Sequence, residues 1–565
     1  MLGFPILRRA ALIMFMAAMG PVAGLAQDAA PASEAGTAVQ PVPVPEDLVQ
    51  EQPLSPLSEA IALRIEQDSG AETGDARLLK LYEFYDLNNF APIWVGQDGV
   101  NAKGRALVDH ILGSEVHGLT PSDYGARLLK GALDATGIEA LAGLEVRLSK
   151  ALLSYGHDLS AGRLKPNKVD REVYIYPQGP DVGALLRGAA VATDMTAYLD
   201  DLAPHSPNYA RLKSKLAEYR KIAARGGWTP VPKGETLKPG MSDERVIILR
   251  KRLVESDHHP GTAPADERLF DEQLAEAVKL FQFRHGLTPD GVVGPRTLKA
   301  LNVPASARVE QMVLNMERRR WMEDDLGERY IFVNLADFFL KVVDRGKTIH
   351  TALVVVGKTY HRTPVFSKDM KYLVFNPYWN VPRSIAVKEI LPKERNNPGW
   401  INRQNIRVVS ASGKVIDPYM IDWASATARN FPYRFRQDSG RRNALGRVKF
   451  MFPNKFNIYL HDTPSKSLFK RTVRSFSHGC VRVQNPLDLA AVLLGWQGWS
   501  RKQIDAVVAA GKRRIVRLKT PIPVHITYLT AWVNKDGSVH FRDDIYGRDK
   551  RLEKALKRSH VASPA

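Results

Sequence analysis

The sequence predicts a multidomain α+β protein, and three observations support this prediction. The 565 residues are too many for a single hydrophobic core. Between residues 57 and 232 apolar side chains recur every three to four positions, which is typical of helices. Beyond residue 328 the period changes to two and β-branched residues become frequent, which is typical of strands. With 44% hydrophobic and 25% charged residues, the composition is that of a globular chain.

The charge and the cysteine content limit the classes of function that the protein can have. The formal net charge is +20, but residues 1–26 carry +2 and residues 27–56 carry −5, so the body of the chain carries +23. A field of this sign attracts polyanions, namely nucleic acid, anionic lipid or a carboxylate-rich cell wall. The single cysteine excludes an intrachain disulfide and any zinc site that needs several thiolates.

The N-terminus is typical of an export signal. Arg8 and Arg9 precede the apolar run Ala10–Ala18, and small residues at Gly24 and Ala26 form a cleavage site. We therefore expect a signal peptide over residues 1–26, with an uncleaved anchor as the alternative.

The next segments predict a linker and two helical units. Residues 27–56 are rich in Pro and Ala and form a linker. A helical domain is expected over 57–232, ending at a Gly-Gly-Trp-Thr-Pro boundary. Residues 237–304 contain two amphipathic runs and a helix that begins near Pro295, which predicts a small three-helix domain.

A β-rich domain is expected over residues 310–525. Its predicted strands share period-two patterning and include 330–335, 341–343, 351–356, 371–375 and 449–451. Residues 377–445 interrupt this pattern as an insertion that carries three tryptophans and several prolines, which argues against disorder. Residues 526–565 are expected to form a C-terminal strand and a basic tail.

The chemistry-bearing motif lies around the only cysteine, Cys480. It stands in the run Ser-His-Gly-Cys-Val-Arg at 477–482, and an upstream strand places Tyr459 and His461 on one face. A lone cysteine is often a buried small hydrophobe. Here nearby cations favour a thiolate; they are Arg471, Arg474, His478 and Arg482. A histidine on a neighbouring strand could take the thiol proton, which is the arrangement of acyl transfer.

This segment resembles the L,D-transpeptidase (YkuD-type) family, whose motif pairs an upstream His with S-H-G-C-x-R-x-x-N. The matching residues are His461, Ser477, His478, Gly479, Cys480, Arg482 and Asn485. Residues 81–124, 443–463 and 524–549 resemble the YcbB-like subgroup, and 237–304 resembles a peptidoglycan-binding domain. The resemblance implies a helical scaffold domain, a peptidoglycan-binding domain and a β-rich catalytic domain in which the insertion 377–445 is a capping lid.

The resemblance also implies roles for the site residues. Cys480 would be the nucleophile, and His461 the general base, oriented by a backbone carbonyl near Asp462. Ser477 and His478 would support them, and the N–H groups of Gly479 and Cys480, with Tyr459, would stabilise the oxyanion. Arg482 and Asn485 would bind substrate. No cofactor and no metal are expected.

The implied reaction is acyl transfer on peptidoglycan in the periplasm. Cys480 would attack a tetrapeptide donor stem, expel D-alanine and pass the acyl group to an amine, giving a 3→3 cross-link in cell wall biogenesis. Water, a free D-amino acid or a lipoprotein lysine as acceptor would instead give a carboxypeptidase, an exchange enzyme or an anchoring enzyme. Carbapenem-type β-lactams are the expected inhibitors. Nucleic acid is not an expected partner, and a retained N-terminus would associate with the inner membrane.

Other interpretations fit the sequence less well. A zinc site at His461, Asp462, His478 and Cys480 matches no common ligand spacing. A papain-like protease would place its cysteine before its histidine, the reverse of the order here. The glycines of 290–294 lack the carboxylates of a calcium loop. A non-catalytic wall-binding scaffold remains the alternative from a different class, and such a protein needs no Cys–His pair.

Overall fold

The computed structural model describes residues 53–68 and 76–562. The predicted signal peptide and all but the last residues of the linker lie outside this range. Among the described helices, none combines the length and apolarity that crossing a membrane requires.

The N-terminal region is helical, as predicted. Its longest helix, α5, is almost entirely apolar on its inner face and forms the centre of a large hydrophobic core. Buried Glu145 of α5 ties the preceding turn to this core, because it accepts hydrogen bonds from the Tyr85 hydroxyl at 2.6 Å and from the Trp94 N–H at 2.9 Å. The elements are α1 Pro56–Asp68, α2 Ala76–Leu87, β1 Val95–Gly96, β2 Gly99–Val100, α3 Ala102–Leu112, α4 Ala126–Gly131, α5 Ile138–Ala161, α6 Pro166–Val169, α7 Val182–Val191, α8 Met195–Asp201 and α9 Pro207–Ala224.

A small three-helix domain follows and has its own core. Its helices are α10 Arg245–Val254, α11 Glu272–Arg284 and α12 Pro295–Leu301. Pro295 occupies the first turn of α12, where its missing N–H costs no hydrogen bond. Helix α13 Ala305–Arg320 then packs beside α9 and leads into the sheet.

The β-rich region is one nine-stranded sheet. The strands lie in the order β13-β5-β14-β12-β11-β6-β15-β3-β4, and β4 also pairs with β5, so the sheet closes on itself. Its interior is filled by β-branched and aromatic side chains, and α17 and α18 pack on this core. The elements are β3 Arg329–Asn334, β4 Phe339–Asp344, β5 Lys347–Gly357, β6 Phe366–Phe375, β11 Val448–Met451, β12 Leu460–His461, β13 Ser475–Ser477, β14 Val481–Val483, α17 Pro486–Gly495, α18 Arg501–Ala509 and β15 Arg514–Thr527. The multidomain α+β prediction is confirmed.

Between β6 and β11 the chain forms a separate four-stranded sheet in the order β7-β10-β8-β9. Trp400 and Trp423 pack on the small hydrophobic core of this inserted domain. Its elements are β7 Trp379–Asn380, α14 Arg383–Ile385, a π-helical turn Ala386–Ile390, α15 Leu391–Asn396, α16 Trp400–Arg403, β8 Ile406–Val409, β9 Val415–Ile416 and β10 Arg434–Gln437.

The C-terminal region differs from the predicted strand and basic tail. It forms a hairpin, β16 Ala531–Val533 and β17 Val539–Phe541, followed by helix α19 Arg548–Ala562. Leu552 and Leu556 are buried because they lie four residues apart on one face of α19, a spacing hidden in the sequence by the surrounding basic residues. Arg548 at the start of α19 donates to Asp170 of the helical region at 3.3 Å, so the C-terminus fastens that region to the sheet.

Candidate active site

Three neighbouring strands of the sheet bring the predicted site residues together. The parallel pair β12 and β14 aligns His461 with Arg482, and the antiparallel pair β11 and β12 aligns Lys449 with His461. Residues aligned across strands point to the same face, and alternate residues along a strand share that face. Tyr459 and Cys480, each two positions before an aligned residue, therefore join the same face. We call these five residues the catalytic face.

On this face Cys480 and His461 occupy diagonal positions. Diagonal neighbours in a sheet have Cα atoms about 7–8 Å apart, which long or polar side chains can bridge. The described residues show no hydrogen bond between the two groups; the Cys480 Sγ instead lies 3.6 Å from the carbonyl oxygen of Asn457. Contacts of this kind commonly tighten only when substrate is bound.

The turn that carries Cys480 is held from both sides. The Ser477 Oγ donates to the Cys480 carbonyl at 2.5 Å and accepts from the Gly479 N–H at 3.1 Å. On the other side the buried Thr363 Oγ1 donates to the Gly479 carbonyl at 2.8 Å. Gly479 has φ +114°, a region that favours glycine, and an added Cβ would lie 3.3 Å from Ile458 Cδ1. The turn conformation therefore requires glycine at this position.

The thiol environment differs from the sequence-based expectation. Burial raises the pKa of Cys480, while hydrogen bonds from Tyr459 and the charges of Arg482 and Lys449 act in the opposite direction. Of the expected cations, Arg482 lowers the pKa of the thiol, whereas the Arg474 guanidinium donates to backbone carbonyls, including that of Phe338 at 3.2 Å. The thiol is thus protonated at rest and needs a base.

His461 is placed to be that base. Its Nδ1–H donates to the carbonyl oxygen of Asp462 at 2.5 Å, and because a carbonyl only accepts, Nε2 carries the lone pair. Burial first, and then the Arg482 charge, lower the pKa of His461 to about 3, so the ring is neutral near pH 7. The Asp462 carboxylate does not touch the imidazole; it accepts from the Arg447 N–H at 2.9 Å and from the Thr463 N–H at 2.7 Å.

One predicted oxyanion donor must be corrected. The Gly479 N–H is already bound to Ser477 and is not free to hold an oxyanion. The Cys480 N–H has no partner among the described residues. Tyr459 is the second candidate, because burial followed by the charge and hydrogen bond of Cys480 raises its pKa and keeps its hydroxyl protonated. The donors that fit are therefore Cys480 N–H and Tyr459.

Of the two predicted substrate-binding residues, Arg482 is the middle residue of β14, whereas Asn485 lies two positions beyond the end of that strand. Arg482 is half-buried, and its enclosed Nε has no hydrogen-bond partner in the described part of the chain. Such a group is complementary to a ligand carboxylate. Asn485 instead is exposed in a left-handed conformation, φ 45°, where it begins α17. It immediately precedes Pro486, the first residue of α17, and forms the turn into that helix.

His478 joins the turn that carries Cys480 to the inserted domain. Its Nε2–H donates to the Glu389 carboxylate at 2.5 Å, and its ring lies 5.2 Å from that of His361. Glu389 belongs to the π-helical turn of the inserted domain. Sequence reasoning missed Glu389, Thr363 and Lys449, because each reaches the site from a distant segment whose register the motif does not encode.

Comparisons with known proteins agree with this geometry. A scaffold-domain model matches residues 80–216, and a model described as "Putative peptidoglycan binding domain" matches residues 242–301. The model of the L,D-transpeptidase catalytic domain matches residues 328–524, which contain the whole catalytic face. The chain carries an L,D-transpeptidase catalytic domain.

Individual relatives cover part of the chain. A Haemophilus influenzae protein named "Putative L,D-transpeptidase" is 34% identical over 282 residues, which make up 49% of this chain and 57% of the relative. The match therefore spans little more than half of that relative's length.

Two solved L,D-transpeptidase structures were also found, both at 16% identity. That from Xylanimonas cellulosilytica covers 52% of this chain and 99% of its own, with a TM-score of 0.18. That from Stackebrandtia nassauensis covers 53% and 97%, with a TM-score of 0.20.

Proposed function

We propose that the protein is a peptidoglycan L,D-transpeptidase that forms 3→3 cross-links through a cysteine thioester. The observation that carries the proposal is the placement of Cys480 diagonally from His461, whose Nδ1–H is committed to the Asp462 carbonyl. The lone pair on Nε2 is thereby directed away from that carbonyl and available for the thiol proton.

The first half-reaction is acylation. Cys480 Sγ attacks the carbonyl of the L-centred diamino acid at position three of a tetrapeptide stem, and the thiol proton passes to His461 Nε2. The Cys480 N–H and the Tyr459 hydroxyl hold the oxyanion that develops. The tetrahedral intermediate collapses when the C–N bond to D-alanine breaks, and His461 returns the proton to the leaving amine. A thioester on Cys480 remains.

The second half-reaction transfers the acyl group. An amine from a second stem attacks the thioester carbonyl and gives a proton to His461. The C–S bond then breaks, and His461 returns that proton to the Cys480 Sγ, which restores the thiol. The half-buried Arg482, whose Nε has no hydrogen-bond partner among the described residues, supports binding of a substrate carboxylate. Hydrogen bonds to a charged group contribute about 1.5–3 kcal/mol, roughly ten- to hundredfold in occupancy. Such retention favours an amine acceptor over water.

The other domains support the same function. The peptidoglycan-binding match and the body charge of +23 suit an anionic, polymeric wall substrate. We propose that the protein acts in the cell envelope after export, and that the inserted domain caps the bound stem. The signal peptide or anchor lies outside the described residues.

The test is the mass of the products formed from purified tetrapeptide-bearing muropeptides. We expect cross-linked dimers together with free D-alanine, at low and at physiological salt. If tripeptide accumulates without dimer at both salt concentrations, an L,D-carboxypeptidase replaces the transpeptidase. If neither product forms and no β-lactam acylates Cys480, the non-catalytic wall-binding scaffold is the better interpretation.

A further inference from the structure

Lys449 is the member of the catalytic face that takes no part in the proposed acyl transfer. It lies on β11 directly opposite His461, in the register of an antiparallel pair. His461 is therefore flanked by Lys449 on one neighbouring strand and by Arg482 on the other. With strands about 4.8 Å apart, the two cations straddle the imidazole.

The ammonium of Lys449 points toward Tyr459. The Nζ lies 5.3 Å from the centroid of the Tyr459 ring, within the range of a cation–π contact. Tyr459 in turn immediately precedes β12, as Cys480 precedes β14, and the Val481 N–H donates to the Tyr459 carbonyl at 3.2 Å. The Cys480 thiol is in turn hydrogen-bonded to Tyr459, so Tyr459 lies between the Lys449 ammonium and the thiol.

The Lys449 ammonium has no anionic partner in the described part of the chain. It makes no ion pair and no side-chain hydrogen bond there, although the residue is half-buried. Burial and the charge of Arg513 lower its pKa, and the charge on Cys480 raises it. A half-buried cation without a counter-ion is costly unless negative charge appears nearby, and among its described neighbours Cys480 is the group that acquires such charge.

We propose that Lys449 is a positioning residue that favours the thiolate of Cys480 and holds the Tyr459 ring against it. Thiolate formation can be measured without a peptide substrate, so this part of the inference does not depend on the proposed function. Only the effect of Lys449 on acyl transfer rests on the proposed function. The titratable and charged groups around the thiol are His461 from β12, Tyr459 immediately before that strand, Arg482 from β14 and Lys449 from β11, with Arg513 beyond Lys449. His478, on the same turn as the thiol, bonds to Glu389.

The test is the pH dependence of Cys480 alkylation by iodoacetamide in the full-length protein. Cys480 is the only cysteine, so the rate reports on this thiol alone. We expect Lys449→Met to shift the profile to higher pH and to slow alkylation at pH 7 roughly three- to tenfold, the effect of removing one nearby, screened charge. Lys449→Arg should keep most of the wild-type rate. Lys341→Met, another half-buried sheet lysine, should leave the profile unchanged.

The outcomes separate this inference from the proposed function. If Lys449→Met, or Lys449→Gln where the methionine variant does not fold, alkylates with the wild-type profile, the inference is wrong even when cross-linked dimers form. An equal shift in Lys341→Met would also overturn it. A shift confined to Lys449→Met supports it even when the wild-type protein makes tripeptide rather than dimer.

Discussion

The Nε2 of His478 lies 2.5 Å from the Oε1 of Glu389, so the turn that carries Cys480 is bonded directly to the inserted domain. Both side chains are partly exposed, and exposed ion pairs contribute only about 0–1 kcal/mol to stability. The contact between His478 and Glu389 therefore matters for its location rather than for stability, because a contact this weak can open and close as substrate enters. The contact is thus the point at which the proposed cap is attached to the turn that carries Cys480.

Glu389→Gln is therefore expected to loosen the inserted domain without unfolding it. The loss of charge weakens the contact with His478, so backbone amides in 379–437 should exchange faster by hydrogen–deuterium mass spectrometry. Lys414→Gln, an exposed change in the same domain, is the control. Equal exchange in the two variants would show that the contact does not hold the domain.

Thr363→Val is expected to damage both stability and acylation. The Thr363 Oγ1 donates to the Gly479 carbonyl and accepts from the Gly357 N–H at 2.9 Å, and valine leaves both buried groups unpaired. Each unpaired group costs about 1–3 kcal/mol. Urea unfolding and the rate of β-lactam acylation measure the two effects, and Thr363→Ser should restore both. A valine variant as stable and as fast as wild type would contradict the account of the turn.

Gly479→Ala tests whether the turn conformation matters to the chemistry. Left-handed strain of about 1–3 kcal/mol is expected at φ +114°. Because the turn must shift to relieve it, β-lactam acylation should slow by at least about tenfold, the effect of roughly 1.4 kcal/mol. Gly498→Ala is the control. Gly498 has φ +90° and open space around it, so the alanine should introduce comparable strain outside the turn that carries Cys480. The prediction fails if the two variants acylate at the same rate.

The low pKa of His461 predicts acid sensitivity of the fold. The unfolded chain binds a proton on this histidine below about pH 6.5, whereas the folded protein does so only near pH 3. The free energy of unfolding therefore falls as the pH drops through this window, by roughly 1.4 kcal/mol per pH unit for this group. Urea unfolding at pH 7 and pH 5 should show a smaller loss in His461→Gln than in wild type. The exposed His205→Gln is the control, and identical losses in all three proteins would refute the assignment.

The sequence predicts more of the fold than of the site. Alternating apolar residues identify strands such as 329–334 and 448–451, because each has one buried face. The motif predicts that Cys480 and His461 lie close together, but it does not show that the Gly479 N–H donates a hydrogen bond to Ser477 Oγ. Lys449 and Thr363 reach the site through strand register and a loop contact, which depend on the closed sheet rather than on local spacing. The basic C-terminal helix is not predicted, because its two buried leucines are surrounded by charged residues and give only a weak apolar periodicity.

The central claim is that Cys480 carries the acyl group between two stems. Intact-protein mass spectrometry after brief incubation with a tetrapeptide-bearing muropeptide tests it most directly. The account predicts a mass increase equal to the muropeptide minus D-alanine on the wild-type protein, no increase on Cys480→Ala, and a much slower increase on His461→Gln. An adduct that forms equally on Cys480→Ala, or dimer production by that variant, would contradict it.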